Sequence, residues 1–133
     1  MYEHEIKTHA LIERALCGIP IELAEGESVV ELALTDVMRA DASGLAHGGF
    51  VFGLADYAAM LAVNHPNVVL AAASVSFMKP AVSGDVLTAR AKTTSAAGKK
   101  RTVAVEIMKA GVPVFRGEFT CVVPDRHVME GAQ

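Results

Sequence analysis

The stretch Phe50-Val51-Phe52-Gly53-Leu54-Ala55-Asp56-Tyr57-Ala58-Ala59-Met60-Leu61-Ala62-Val63-Asn64 decides the fold of this chain. It is apolar on every face, and its Ala, Leu and Met content favours helix over strand. It is shorter than the ~20 apolar residues a membrane span takes, and it carries Asp56 in its middle. A helix of this kind belongs in a core. His65-Pro66-Asn67 ends it, because the residue before a proline is pushed out of the helical region and Asn64 can cap.

What could cover such a helix lies on both sides of it. Upstream, Val29, Glu31 and Ala33 alternate with Val30, Leu32 and Leu34, and Glu25-Gly26-Glu27-Ser28 interrupts the run, which predicts a hairpin over 19–34. Before that, Ile6, Ala10, Leu11, Ala15 and Leu16 recur at helical spacing, so a short amphipathic helix is expected over 6–17, stopped by Gly18 and Pro20. Residues 35–49, rich in polar residues and glycine, read as a loop. Downstream, strands are expected over 68–78, 86–95, 101–109 and 112–123, with turns at 82–85, 96–99 and 110–111 and a loose tail over 124–133. Four consecutive strands without intervening helices imply an antiparallel sheet and an α+β class, in which the sheet wraps the apolar helix.

Length and composition agree with one domain over 1–133, its core at about 19–123. The 133 residues are 52% hydrophobic and 20% charged, with a net charge of -3 and a mean hydropathy of +0.36. An acidic balance gives no long-range pull toward nucleic acid or an anionic membrane, and Lys99-Lys100-Arg101 is the one basic cluster. Cys17 and Cys121 are too few for a disulfide framework or a closed zinc site. Met1 to Lys7 carries acids where an export signal needs a basic then apolar run, so the expected setting is the cytoplasm. The histidines follow neither HxH nor HExxH spacing, and no Walker or Rossmann glycine pattern occurs, so neither metal nor cofactor is expected.

Two features carry chemistry. His47-Gly48-Gly49 stands at the start of the buried helix, where N–H groups lack intrahelical partners and glycine lets a ligand approach. Asp56 is a carboxylate in an otherwise apolar helix, and burying it unpaired is expensive, so something must justify it.

The segment His47-Gly48-Gly49-Phe50-Val51-Phe52-Gly53-Leu54-Ala55-Asp56 resembles the HGGxxxxLAD signature of the PaaI-type hotdog thioesterases. The resemblance continues through Asn64, Ser76-Phe77-Met78-Lys79-Pro80, Gly84-Asp85-Val86-Leu87 and Gly98-Lys99, over roughly residues 20–123. It implies the hotdog fold, a long central helix wrapped by an antiparallel sheet of about five to six strands. It also implies protomers paired edge to edge as a homodimer or homotetramer, with sites at their interface. The implied activity is hydrolysis of an acyl-CoA, of an aryl-acetyl or other short to medium acyl group. The amide matching Gly48 polarises the thioester carbonyl, and Asp56 acts as general base or as nucleophile; both roles are open to Asp.

Around this pair, His47 is expected to orient the loop or touch substrate, and Gly49 to line it. Lys79, Lys99 and Arg101 suit the phosphates of CoA. Asn64 is a helix-end cap or a substrate contact. Asp41 stands where several relatives carry an Asn that holds substrate or water, and a second acid near Asp56 would raise its pKa. Leu70 replaces a hydroxyl found in some relatives, for which Ser74 or Ser76 could substitute. Two other readings stay open: a non-catalytic acyl-CoA binding module, and a hotdog hydratase using His47 with Asp56.

Overall fold

The computed structural model describes residues 5–130. The start of the chain, which carries part of the expectation about export, and the last three residues of the expected tail lie outside the described residues. Helix α1 (Arg14–Cys17) leads into strands β1 (Ile19–Ala24) and β2 (Glu27–Ala33), then helix α2 (Gly48–Val63). Strands β3 (Val69–Phe77), β4 (Val86–Ala97), β5 (Lys100–Lys109) and β6 (Val112–Val122) follow. Among the described residues these strands form one antiparallel sheet in the order β1-β2-β4-β5-β6-β3, with α2 packed across it. This is the hotdog fold, in the α+β class.

The period of two along each strand decides what faces α2. Val30 and Leu32 of β2, Leu87 and Ala89 of β4, Val103 and Ile107 of β5, and Phe115 and Phe119 of β6 are buried on the helix side. Glu31, Arg90 and Arg116 take the outer face, and Arg116 there donates to Glu106 at 2.6 Å. Leu54, Ala55 and Tyr57 through Ala62 of α2 are buried, so the helix is covered almost all round, as its composition requires. Buried Ser28 donates to the carbonyl of Ala58 at 2.6 Å and ties β2 to the middle of α2.

The expected helix over 6–17 shrinks to one turn. Residues 5–9 instead lie against α2, at Asn64 and Tyr57. The Lys7 N–H donates to Asn64 Oδ1 at 2.8 Å, and Asn64 Nδ2 donates to the Glu5 carbonyl at 2.8 Å. Thr8 is buried, His9 takes a left-handed φ of 54°, and Leu11, on the apolar side of the expected helix, is 99% exposed. Long-range bonds to Asn64 outweigh a local periodicity worth a few tenths of a kcal/mol per residue. At the other boundary, α2 begins two residues earlier than its apolar run, because glycines are tolerated in a first turn. No helix among the described residues is long and apolar enough to cross a membrane.

Candidate functional site

Helix α2 holds both residues that the sequence singles out for chemistry, Gly48 and Asp56. At its start His47 is the N-cap residue with extended backbone and no side-chain cap bond, so Gly48 and Gly49 present N–H groups that the helix itself cannot satisfy. The His47 N–H donates to the Met38 carbonyl at 2.9 Å, which anchors this corner to the preceding loop. The imidazole of His47 stands edge-on to Phe50 at 6.2 Å between centroids and lies over Gly49, whose ideal Cβ would come 3.3 Å from Nε2. A Cβ on Gly48 would come 3.4 Å from Cε2 of Phe77. Ring and backbone thus meet closely at both glycines.

Asp56 lies two turns further along. Phe52, one turn before it, packs on Phe119 at 5.5 Å, which directs this side of the helix toward β6 and the edge strand β3. The carboxylate is half-buried, and its Oδ1 is buried with no hydrogen-bond partner among the described residues. Burial therefore holds its pKa above the ordinary carboxylate value. Its charge reaches the thiol of buried Cys121, on the same face of β6 as Phe119, and together with burial pushes that pKa up to about 11, burial being the larger cause.

Eight residues of α-helix separate Gly48 from Asp56, about 12 Å along the axis. Helical N–H groups point toward the N-terminal end, so an oxygen bound at Gly48 lies still further from Asp56 of the same chain. A base or nucleophile and an oxyanion donor must each reach within about 3 Å of adjoining reacting atoms. One protomer does not bring the two together.

The other expected residues separate as well. Asp41 is exposed at the tip of the loop closed by the Arg39–Ala46 bridge, where its Oδ1 accepts from the Ser43 N–H at 2.9 Å and hydroxyl at 2.5 Å. Those bonds hold its pKa below the usual range. Within one protomer the raised pKa of Asp56 comes from burial, with no contribution from Asp41. Both ends of the Asn64 amide are engaged by residues 5 and 7, so Asn64 is a clamp for that segment. Ser74 pairs with Glu118, and its neighbours Ala73 and Val75 pair with the inward Phe119 and Gly117; alternation then turns Ser74, like Ser76, to the sheet face away from α2.

Lys79 lies just beyond the Phe77 end of β3, near Gly48, whereas Lys99 and Arg101 sit at the Val69 end, eight residues or about 26 Å of strand away. Lys99 pairs with Asp125 at 3.2 Å, and Arg101 donates to the carbonyls of Gly98 and Lys100. Phe77 is the residue beside the site that the sequence did not mark; it read as the end of a strand, and its closeness to Gly48 comes from the β3–β6 pairing. Among the described residues no three His, Cys, Asp or Glu side chains are grouped to hold a metal ion.

A family model described as the thioesterase superfamily matches residues 43–115. The acyl-coenzyme A thioesterase PaaI of Escherichia coli is 32% identical over 120 residues, a match covering 83% of this chain and 85% of that protein. A methylthioribose-1-phosphate isomerase of Aquifex aeolicus is 50% identical over 118 residues, or 89% of this chain. The chain spans only 26% of the length of that relative. The crystal structure of an uncharacterised Pyrococcus horikoshii protein superposes with a TM-score of 0.93 at 50% identity, covering 95% of this chain and 97% of the other.

Proposed function

Because the chain belongs to the thioesterase superfamily, we propose that it hydrolyses an acyl-CoA thioester to the free acid and CoA in the cytoplasm. One observation carries the reading: a helix buried almost all round holds one carboxylate, Asp56, whose inner oxygen has no partner and whose proton affinity is raised. A carboxylate kept so at the cost of burial suits a base or nucleophile.

The reaction runs as follows. The Gly48 N–H donates to the thioester oxygen and stabilises its developing charge. Asp56 takes a proton from water as the water oxygen bonds to the carbonyl carbon, or its own oxygen forms that bond and water later cleaves the anhydride. The C–S bond breaks, and the CoA thiolate leaves and takes up a proton. The reading asks for no metal or redox cofactor, and exhaustive chelation is expected to leave the rate unchanged.

The distance between Gly48 and Asp56 supports a homodimer in which the amide of one protomer meets Asp56 of the partner subunit. The sheet edges support the same pairing. Edge strand β1 carries Pro20, Glu22 and a break in register, features that discourage further pairing. Edge strand β3 is nine residues long, without charge or proline, and exposes Ala71, Ala72, Ala73 and Ser74. Such an edge calls for a partner, and Phe52, one turn before Asp56, packs on Phe119 of the neighbouring strand β6. A homotetramer would be built from two such dimers. Lys79 of one protomer with Lys99 and Arg101 of the other is the basic set proposed for the CoA phosphates. The test is a panel of acyl-CoA thioesters read by release of free thiol, with wild type and Asp56→Asn side by side. Turnover lost in the variant supports the reading, and full turnover without the carboxylate sinks it.

A further inference from the structure

The basic hairpin that joins β4 to β5 is fixed by backbone bonds. Ala97 pairs with Lys100, which leaves Gly98 and Lys99 as the turn, and the Val123 N–H donates to the Lys99 carbonyl at 2.8 Å. The chain beyond β6 is held beside this turn, because Asn67 Nδ2 donates to the Pro124 carbonyl at 3.0 Å. The next residue, Asp125, thereby stands against the hairpin, and its Oδ2 lies 3.2 Å from Lys99 Nζ. Among the described residues this is the one ion pair that the hairpin makes. With both backbones held, only the two side chains can change partners, and 59% of the Lys99 side chain and 86% of the Asp125 side chain are exposed.

We propose that Asp125 is a resident counter-ion of the hairpin: it pairs with Lys99 between turnovers, yields it to the CoA nucleotide, and so weakens the hold on every CoA-bearing molecule, free CoA included. The proposal rests on the thioesterase reading, which gives Lys99 to the CoA phosphates, and adds the residue that sets how tightly they are held. Asp125 does not bind the nucleotide itself, since a carboxylate repels a phosphate. It competes for the same ammonium group. A phosphate monoester carries nearly two negative charges near neutral pH and three acceptor oxygens, against one charge and two oxygens on a carboxylate. The nucleotide therefore takes Lys99, but with less affinity than an unpaired lysine would give.

The consequence falls on product release. Substrate and product carry the same nucleotide, so a phosphate contact holds both alike; it lowers KM without raising kcat and slows the departure of CoA. A carboxylate competing for Lys99 removes part of this uniform hold. Exposure suits the task, because an exposed ion pair is weak enough to open and close on every turnover, whereas a buried pair would keep Lys99 to itself. Lys100 and Arg101 have no carboxylate partner among the described residues, and Arg101 donates instead to the carbonyls of Gly98 and Lys100. Asp125 thus trims the attraction of the hairpin by one charge and leaves the rest in place.

The experiment compares wild type, Asp125→Asn and Asp125→Ala, each with and without Lys99→Ala, on one acyl group carried by CoA and by pantetheine, which lacks the nucleotide and its phosphates. Inhibition by free CoA and its affinity by calorimetry are measured alongside. Both Asp125 variants should lower KM for the acyl-CoA and Ki for CoA by about two- to fivefold at low salt, the range that exposed ion pairs command. The ratio of the acyl-CoA KM to the acyl-pantetheine KM should fall with them. The effect should shrink at about 0.5 M salt, where screening acts within roughly 4 Å. In the Lys99→Ala background Asp125 should make no difference, which shows that it acts through Lys99. CoA affinity left unmoved or weakened by the Asp125 variants would overturn the proposal. So would an equal shift for acyl-pantetheine, the mark of a purely structural role, or a shift that survives Lys99→Ala. If wild type hydrolyses nothing yet binds CoA more tightly once Asp125 is replaced, the hydrolytic reading falls and the counter-ion stands. CoA bound by none of the proteins overturns both.

Discussion

Replacing Gly48 by proline removes one N–H group and sets a ring methylene in its place. Gly48 is the first residue of α2, the helical position that accepts proline best because its N–H has no intrahelical partner. The residue before a proline must be extended, and His47 already is, with φ -65° and ψ 130°. The one steric neighbour is the rim of the Phe77 ring, 3.4 Å from an ideal Cβ, which is ordinary contact. The fold should therefore absorb the change within about 1 kcal/mol. Loss of one oxyanion donor costs on the order of 10²- to 10³-fold in kcat, or about 3–4 kcal/mol of transition-state stabilisation. Gly48→Ala is the control, since it keeps the N–H and adds the same Cβ. Thiol release from the best acyl-CoA should show Gly48→Ala within about tenfold of wild type and Gly48→Pro at least ~10²-fold below it in kcat, with KM little changed. A Gly48→Pro variant that melts with wild type and turns over like Gly48→Ala would show that this amide does not polarise the carbonyl.

Asp56→Asn should lose ~10²-fold or more in kcat and yet melt higher at neutral pH, because it removes a charge whose inner oxygen is buried without a partner; a lower melting point would contradict the burial argument. With wild type, kcat/KM should rise with pH through an apparent pKa above the ordinary carboxylate value. Stability should fall over the same interval, because the folded state holds the Asp56 proton to higher pH than the unfolded chain does; a flat acid limb would remove Asp56 from the reaction. Both thiols are raised by burial, Cys121 to about 11, so half-exposed Cys17 should react slowly with a disulfide reagent near neutral pH and buried Cys121 only on denaturation; immediate titration of both would refute this. Mixing Gly48→Pro with Asp56→Asn protomers under exchanging conditions should restore about a quarter of wild-type activity, since half the dimers are mixed and each mixed dimer has one intact site of two; no recovery despite proven exchange would place both groups in one chain.

The strands and the central helix were legible because their signals are local. Alternation at period two in β2, β4 and β5, and an unbroken apolar run in α2, state which faces are buried whatever the partner. Sheet order was not legible, since β3 pairs with β6 between residues as distant in sequence as Val69 and Val122 and nothing local specifies it. Ser74 shows the same limit at one residue: its face depends on parity, and β3 has a register shift between Leu70 and Ala72 of a kind composition does not reveal. The N-terminal segment failed for a related reason. Its helical spacing was real, but Asn64, 57 residues away, takes the Lys7 N–H. At the candidate site, Gly48 and Asp56 stood out by residue type and position, whereas the separation of Asp41, Lys99 and Arg101 from both within one protomer is set by loop and sheet geometry that the sequence does not state.

The distance between the two legible residues is itself informative. A glycine and an acid eight residues apart on one helix look like a single local motif, yet a helix advances about 1.5 Å per residue and aims its free N–H groups away from everything downstream. The motif therefore lays two half-sites at separate places on one rod. A second rod running the opposite way, related by a two-fold axis, brings the start of one toward the middle of the other. Edge strand β3 pairs with β6, on whose Phe119 the helix residue Phe52 packs, carries only small or apolar side chains along its open length, and ends at Phe77 against Gly48. Pairing this edge with its own copy in antiparallel fashion sets its Phe77 end against the Val69 end of the copy. In the proposed homodimer the basic hairpin of the partner subunit would thereby come to the Gly48 end of the first protomer. In the homodimer proposed above, the operation that closes the open edge would also join amide to carboxylate and Lys79 to the hairpin, so the proposed reaction calls for a pair of chains.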